Sequence, residues 1–522
     1  MSHDRDRRKF LKASAALAAG IVGAGSREAL AEITQEPSLE TPEMEMPQEH
    51  QHEPHEPHEP VVAKLQDQFD GFSRFKPSRG SDPDSDFYCG KLVPGLRSLD
   101  AAPVEITAPD LEKLPWKMVD GAKEFHIRAQ AVAREFLPGY LMNVYGYNGS
   151  LPGPLMEINQ GDRIRVIVTN DLPEATNFHM HGFELPVQYD GAAEMTQNPI
   201  QPGGSFKYEF DVHEQGTFFY HSHVGMQEAM GMVGPIVVHP KKAFAPVVDR
   251  DFVLLFQNFF IKPNQTISDS WKMDWNWHTI NGRSGPFTTP CVVKHGERVR
   301  VRLINFSPMQ HHPVHMHGHT FWVTAHEGAR TPKSAWVPRN TELVGVAQAS
   351  EFEFVANNPG DWQFHCHMIH HMMNHMTQHF GPRIRETSSV DAYLANLDSR
   401  PAVEVTAIAR GEKVPGYPQK MLSMDMETMR RVWQPREMQG MRASAAMSMH
   451  GLMTSMRVLP ADLFDRVINS NQKIEKGSIF AEIVKRFGNP ADYKQAPEMA
   501  TGGMRMNDMQ DMQHGDGKTH HE

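Results

Sequence analysis

Between residues 116 and 385, apolar and polar positions alternate over short runs, and Gly, Pro and Asn turns cut the runs before they reach helix length. The runs "RIRVIVTN" (163–170) and "RVRVRLIN" (298–305) show it best, each following a Gly-acid pair and placing β-branched or aliphatic side chains at alternate positions. The same order of features occurs twice. Gly-acid-Arg recurs from Gly161 to Gly296, "HMHG" from 179 to 315, and "GTFFYHSH" at 216 is answered by "GDWQFHCH" at 360, at separations of 135, 136 and 144 residues. This span is therefore expected to be all-β, two copies of one unit, each a Greek-key sandwich.

Outside the span the pattern changes. Residues 32 to about 85 are rich in Pro, Glu, Asp and Ser, with His50, His52, His55 and His58 in "HQHEPHEPHEP"; this reads as a solvated linker or a loose metal-collecting tail. After residue 385, "KMLSMDMETMRRVW" and "MQGMRASAAMSMHGLMTSMRVL" carry ten methionines between Met421 and Met456. Such a stripe fits adaptable core packing or thioether binding of Cu(I). Arg7 and Arg8 precede a short apolar run and then a small-residue site ending at Ala31, which resembles a twin-arginine export signal and is also compatible with an uncleaved anchor.

The formal charge of −11 argues against a nucleic-acid surface. The informative composition is 30 His and 33 Met against 3 Cys, an excess of ligands for soft and borderline metals. Four H-x-H triplets occur at equivalent points of the two copies: His179/His181, His221/His223, His315/His317 and His365/His367. On a strand both imidazoles of a triplet face one way, starting roughly 6.6 Å apart, and the middle residue faces the other. Eight imidazoles suffice for three copper ions. Cys366, the middle residue of "HCH", then belongs to a separate site on the opposite face. A Cys with two His and a long axial thioether is the ligand set of a blue electron-transfer copper; His371 and Met376 follow five and ten residues later, and "HHPVHMHG" offers His312.

These blocks resemble the multicopper oxidases: "HMHG", "YHSH", "HPVHMHG" and "HCHMIHHMMNHM" match H-P-x-H-x-H-G and H-C-H-x3-H-x4-M in order and spacing over residues 120 to 385. The resemblance implies two cupredoxin-like sandwiches and four copper ions. Type 1 copper would lie at His312, Cys366, His371 and axial Met376, and type 2 at His179 and His315. The type 3 pair would be held by His181, His221 and His367 on one ion and by His223, His317 and His365 on the other. His311, His370 and His375 fall off the pattern. Asp190 stands where similar oxidases place an acid that assists O2 reduction, and Met372 stands where some members carry a second acid. The implied reaction couples four one-electron oxidations, of Cu(I), a phenol or a metal ion, to reduction of O2 to water. Only 91 residues separate His223 from His315, too few for a third sandwich. A two-domain, laccase-like bacterial type with type 1 copper in the second domain is thus implied. Its resemblance to two-domain oxidases implies a homotrimer with the cluster shared between protomers, an intramolecular cluster in a monomer being the alternative. A copper-storing protein without turnover and a copper nitrite reductase are the competing readings.

The expected organisation is an export signal at 1–31, a Pro/His-rich segment and lead-in at 32–115, sandwiches at 116–245 and 246–385, and a Met-rich, partly helical extension at 386–522, in a periplasmic or otherwise exported protein. A disulfide between Cys89 and Cys291 is compatible with export, as are two unrelated thiols.

Overall fold

The computed structural model describes residues 103–261, 266–270, 275–372 and 426–488. The signal-like segment, Cys89, the His-rich tract, His375, Met376 and the last Met-rich residues lie outside them.

Two sandwiches carry the fold. In the first, one sheet runs in the order Trp116–Val119, Ala122–Leu137, Arg163–Asn170, Ser205–Asp211, with Tyr140–Tyr147 folded back on Ala122–Leu137. The facing sheet runs Met156–Asn159, Val233–His239, Gly216–His221, His179–His181. The alternation read from the sequence is realised in Arg163–Asn170, where Ile164, Val166 and Val168 are fully buried and join Phe125, Phe178, Tyr208, Tyr220 and Ile236 in the core between the sheets.

The second sandwich repeats the plan. One sheet contains Ile106–Thr107, Arg250–Phe259, Arg298–Asn305, Gln348–Val355, Phe321–His326 and Ala329–Arg330 in order; the other contains Cys291–Lys294, Met453–Leu459, Gly360–Cys366, His312–Met316 and Thr341–Val344. A shared apolar seam joins the sandwiches: Leu155, Phe219, Val233 and Val237 of the first pack with Val253, Leu255, Ile304 and Phe306 of the second. Beside it, Thr217 Oγ1 donates to Glu351 across 2.6 Å and accepts from Arg302 at 2.8 Å, all buried.

One expected boundary is wrong. The second sandwich does not end at 385, because Met453–Leu459 lies inside its sheet, parallel to Cys291–Lys294 and antiparallel to Gly360–Cys366. All seven of its residues are buried, so it lacks the alternation of a half-exposed strand. Its outer face is covered by the helices Ala461–Phe464 and Ser478–Phe487, through Leu463, Phe464, Ile479 and Ile483 packed on Leu459 and Val292. The methionines Met438, Met441, Met449, Met453 and Met456 are buried packing residues. Met456 is fully enclosed opposite Cys291 and Trp362. Met456→Ala is therefore expected to lower the unfolding free energy by roughly 3 kcal/mol, measured by urea denaturation; an unchanged midpoint would mean the strand is peripheral. Among the described residues no helix is long and apolar enough to cross a membrane.

Candidate metal centre

Register decides which side chains converge. Antiparallel pairing puts Val314 opposite Cys366 and His315 opposite His365. Pleating then separates the "HCH" side chains: His365 meets His317, their Nε2 atoms 3.1 Å apart, while Cys366 turns to the other face. There the Cys366 sulfur lies 3.5 Å from His312 Nδ1 and 3.3 Å from His371 Nδ1, and the two nitrogens are 3.1 Å apart. His371 reaches this point because the chain turns back through the short 3-10 segment Ile369–Met372. The C-terminal segment clamps the turn: Leu452 N–H donates to the His371 carbonyl at 2.8 Å and the Leu452 carbonyl accepts from Cys366 N–H at 3.0 Å.

All three of these side chains are buried. Burial pushes the Cys366 thiol up to about 12, pulls His371 down to about 3 and holds His312 well below its ordinary value. Neutral imidazoles with open Nδ1 lone pairs and a thiol that ionises only against a compensating cation are the donor set of a cuprous or cupric ion. His312 Nε2 is fixed by Ser307 Oγ at 2.6 Å. His371 packs on His278 at a ring separation of 4.5 Å, and His278 Nδ1 donates to Asn258 Oδ1 at 3.0 Å.

The eight histidines of the triplets form two groups of four. In the first, His179 lies directly across from His221, with ring separations of 5.2 Å between them, 5.6 Å from His181 to His221 and 5.7 Å from His179 to His223. The second repeats this: His315 to His365 is 5.6 Å, His317 to His365 5.2 Å and His315 to His367 5.5 Å. Among the described residues no ring of one group touches a ring of the other.

Four of the eight rings are anchored alike. Nδ1 of His179, His221, His315 and His365 lies 2.6, 2.7, 2.6 and 2.8 Å from the carbonyl oxygens of Asp190, Ser222, Asn340 and Cys366. Each anchor places the proton on Nδ1 and leaves Nε2 as a bare lone pair, the tautomer that a metal takes up. Burial, reinforced by neighbouring imidazoles, lowers His221 to about 3 and His181 to about 4; His365 also falls to about 4, burial again being the largest cause. Anchored rings with aimed lone pairs, His221 and His365 among them kept neutral by burial, fit copper in both groups. Asp190 supplies the His179 anchor through its backbone and brings its carboxylate within 3.6 Å of the same ring. Gly191 lets this turn form: its φ is +86°, and a Cβ there would stand 2.1 Å from the Phe178 carbonyl oxygen.

Two family models described as multicopper oxidase match the chain, one over residues 129–243 and one over 261–384, a copy for each sandwich. The chain belongs to the multicopper oxidase family. It is 27% identical to a copper resistance protein A homolog of Pseudomonas syringae pv. tomato over 41% of its own length and 44% of the relative's. To the multicopper oxidase MmcO of Mycobacterium tuberculosis it is 28% identical, over 44% of this chain and 50% of that one. The chain thus spans about half the length of these curated relatives. A blue copper oxidase from Nitrosomonas europaea superposes with a TM-score of 0.45 at 30% identity, covering 48% of this chain and 81% of that one.

Within this multicopper oxidase the motifs marked twelve ligand candidates; the structure gathers eleven into the groups above, and Met376 lies outside the described residues. Ser307, His278 and Leu452 escaped the sequence reading. Ser307 sits five residues before His312 in "NFSPMQHH", a spacing that could have drawn attention, whereas nothing local marks Leu452 or His278.

Proposed function

We propose that the protein is an exported copper oxidase that couples four one-electron oxidations to the reduction of O2 to water. The observation that carries this reading is the strand Gly360–Cys366, whose end supplies Cys366 to one centre and, on the opposite face, His365 to another. In this reading His312, Cys366 and His371, with Met376, hold the type 1 ion. The two groups of four histidines hold the other three in the type 2 and type 3 assignment that the family resemblance implies. Bound copper would supply one-electron acceptance at the first centre and O2 reduction at the second.

The chain's own residues hold the ligands in place. Cys366 and the flanking histidines share a backbone, so the two centres are joined by a few covalent bonds. The Nδ1 anchors fix ring orientation before metal arrives, which limits reorganisation on loading. Asp190, beside His179, is proposed to hold and deliver protons there. Each half of the imidazole set is incomplete for three ions, which supports assembly of the cluster between protomers, the first sandwich of one facing the second sandwich of the next in a homotrimer.

The test is stoichiometry. With a one-electron donor, four donor molecules are expected to be consumed per O2, with no accumulation of peroxide, in an oxygen electrode calibrated against donor absorbance. Two donors per O2 with peroxide released, or copper bound without O2 uptake, would remove the reading in favour of a partial reductant or a storage protein.

A further inference from the structure

The Cys366 centre is connected to histidines of the imidazole set in two ways. The first connection is the strand end that carries Cys366 and His365 on opposite faces. A second runs through the seam between the sandwiches. With Nδ1 of His312 turned to the Cys366 sulfur at 3.5 Å, its Nε2 proton is left for Ser307 Oγ, 2.6 Å away. Ser307 follows Phe306 in the chain, and the Phe306 ring lies against His221 of the first sandwich, the ring centres 4.9 Å apart. From the His312 ring to the His221 ring there is thus one hydrogen bond, one short stretch of covalent bonds and one ring contact.

This line is fixed along its length. Phe306 is buried, meets Phe219 edge-on at a ring separation of 5.5 Å, and donates its N–H to the Phe256 carbonyl at 2.9 Å. Ser307 N–H donates to Asn305 Oδ1 at 2.9 Å, and the Nδ1 anchor of His221 on the Ser222 carbonyl sets the orientation of its ring. Close packing excludes water here, so an electron that crosses the seam reorganises little of its surroundings. In the shared-cluster reading the two connections lead to different places. Cys366 serves the cluster that its own His365 helps to build, whereas His221 belongs to a cluster completed by a neighbouring protomer.

We propose that Ser307 and Phe306 form a second electron route, from the Cys366 centre to the histidines of the first sandwich in the same chain, which links neighbouring clusters around the ring. The proposal rests on the shared-cluster reading of the copper oxidase. One electron passes and no atom moves: what His312 helps to hold is oxidised by one electron, what His221 helps to hold is reduced by one, and Ser307 and Phe306 end unchanged. The test isolates this route in rings mixed from two differently tagged variants. Cys366→Ser removes the electron-accepting centre and keeps both half-sets of imidazoles. His317→Ala keeps that centre and disables the second-sandwich half-set, so neither variant alone can pass an electron from a thiolate centre to an intact cluster. In any ring of three containing both, one junction sets the intact first sandwich of a His317→Ala protomer against the intact second sandwich of a Cys366→Ser protomer. The thiolate centre of that His317→Ala protomer reaches this cluster only through Phe306. Copper-loaded complexes are bleached without air by a limiting reductant, and the thiolate-to-copper absorption is followed as O2 is admitted. About half or more of the absorption is expected to return in the mixed rings, and none in rings of His317→Ala alone. Adding Phe306→Leu to the His317→Ala protomer keeps the seam apolar and is expected to leave most of the absorption bleached; its intensity before bleaching shows that the centre has formed. Mixed rings that stay bleached, or that recover equally with Phe306→Leu, would overturn the proposal. Oxygen uptake by rings mixed from His221→Ala and His365→Ala protomers separates the two ideas. If those recover while these stay bleached, the shared cluster stands and the route falls; if neither recovers, both fall.

Discussion

Cys366→Ser is expected to abolish the intense thiolate-to-copper absorption and to reduce oxygen uptake by more than about a hundredfold, since even partners one step removed from a metal ligand cost 10–100-fold. Serine nearly matches cysteine in volume, so the packing around Val314, Phe364 and Leu452 should survive. The hydroxyl is a poor ligand for the soft ion that the sulfur selects. The second histidine group lies on the other face of the strand and the first lies in the other sandwich, so the type 2 copper signal in EPR should persist in the variant. Loss of every copper signal would instead make Cys366 a structural residue. Retained turnover would place electron acceptance elsewhere.

Glu353→Ala should be the most destabilising single change in the second sandwich, at about 3–5 kcal/mol in chemical denaturation. Glu353 is fully buried and accepts from Arg300 at 2.8 Å, Arg330 at 2.6 Å and Arg298 at 3.2 Å. Deleting it removes an anion that three enclosed arginines share; Arg300 keeps a 3.3 Å contact to Asp251, but Asp251 and Glu351 are already engaged by Arg302. The network also has a pH signature. Burial alone would raise the Glu353 carboxyl, but Arg300, Arg330 and Arg298 outweigh it and hold the group at about 2, below its ordinary 4.5. A lowered folded-state value means that the stabilisation is complete above pH 4.5 and is lost as pH falls towards 2. The difference in stability between the native chain and Glu353→Ala should therefore shrink with acid over that window; a difference independent of pH would mean that packing, not charge, sets the cost.

Much of this protein is legible in its sequence because its chemistry is written in strand period. An H-x-H triplet means something only where side chains alternate, and the pairing of His179 with His221 and of His315 with His365 turns four short motifs into two groups. What could not be read follows from the same physics. Met453–Leu459 is buried on both faces, so no alternation announces it as a strand, and its partners lie far away in sequence at Cys291–Lys294 and Gly360–Cys366. Leu452 holds the Cys366 and His371 backbones through its own amide and carbonyl, contacts that no side-chain motif encodes. His278 reaches His371 only through the pairing of Trp277–Ile280 with Arg250–Phe259.

If two half-sets of imidazoles from different protomers complete one cluster, as proposed above, mixing two inactive variants restores it. His221→Ala disables the first sandwich's half and His365→Ala the second's, so each alone should lose oxygen uptake. Co-expressed with different affinity tags and purified through both, they form rings containing both kinds of protomer, and in any such ring of three one interface joins two intact halves. Recovery to about one third of the activity of the unsubstituted protein is expected from a shared cluster. Doubly tagged complexes no more active than either variant alone would contradict it.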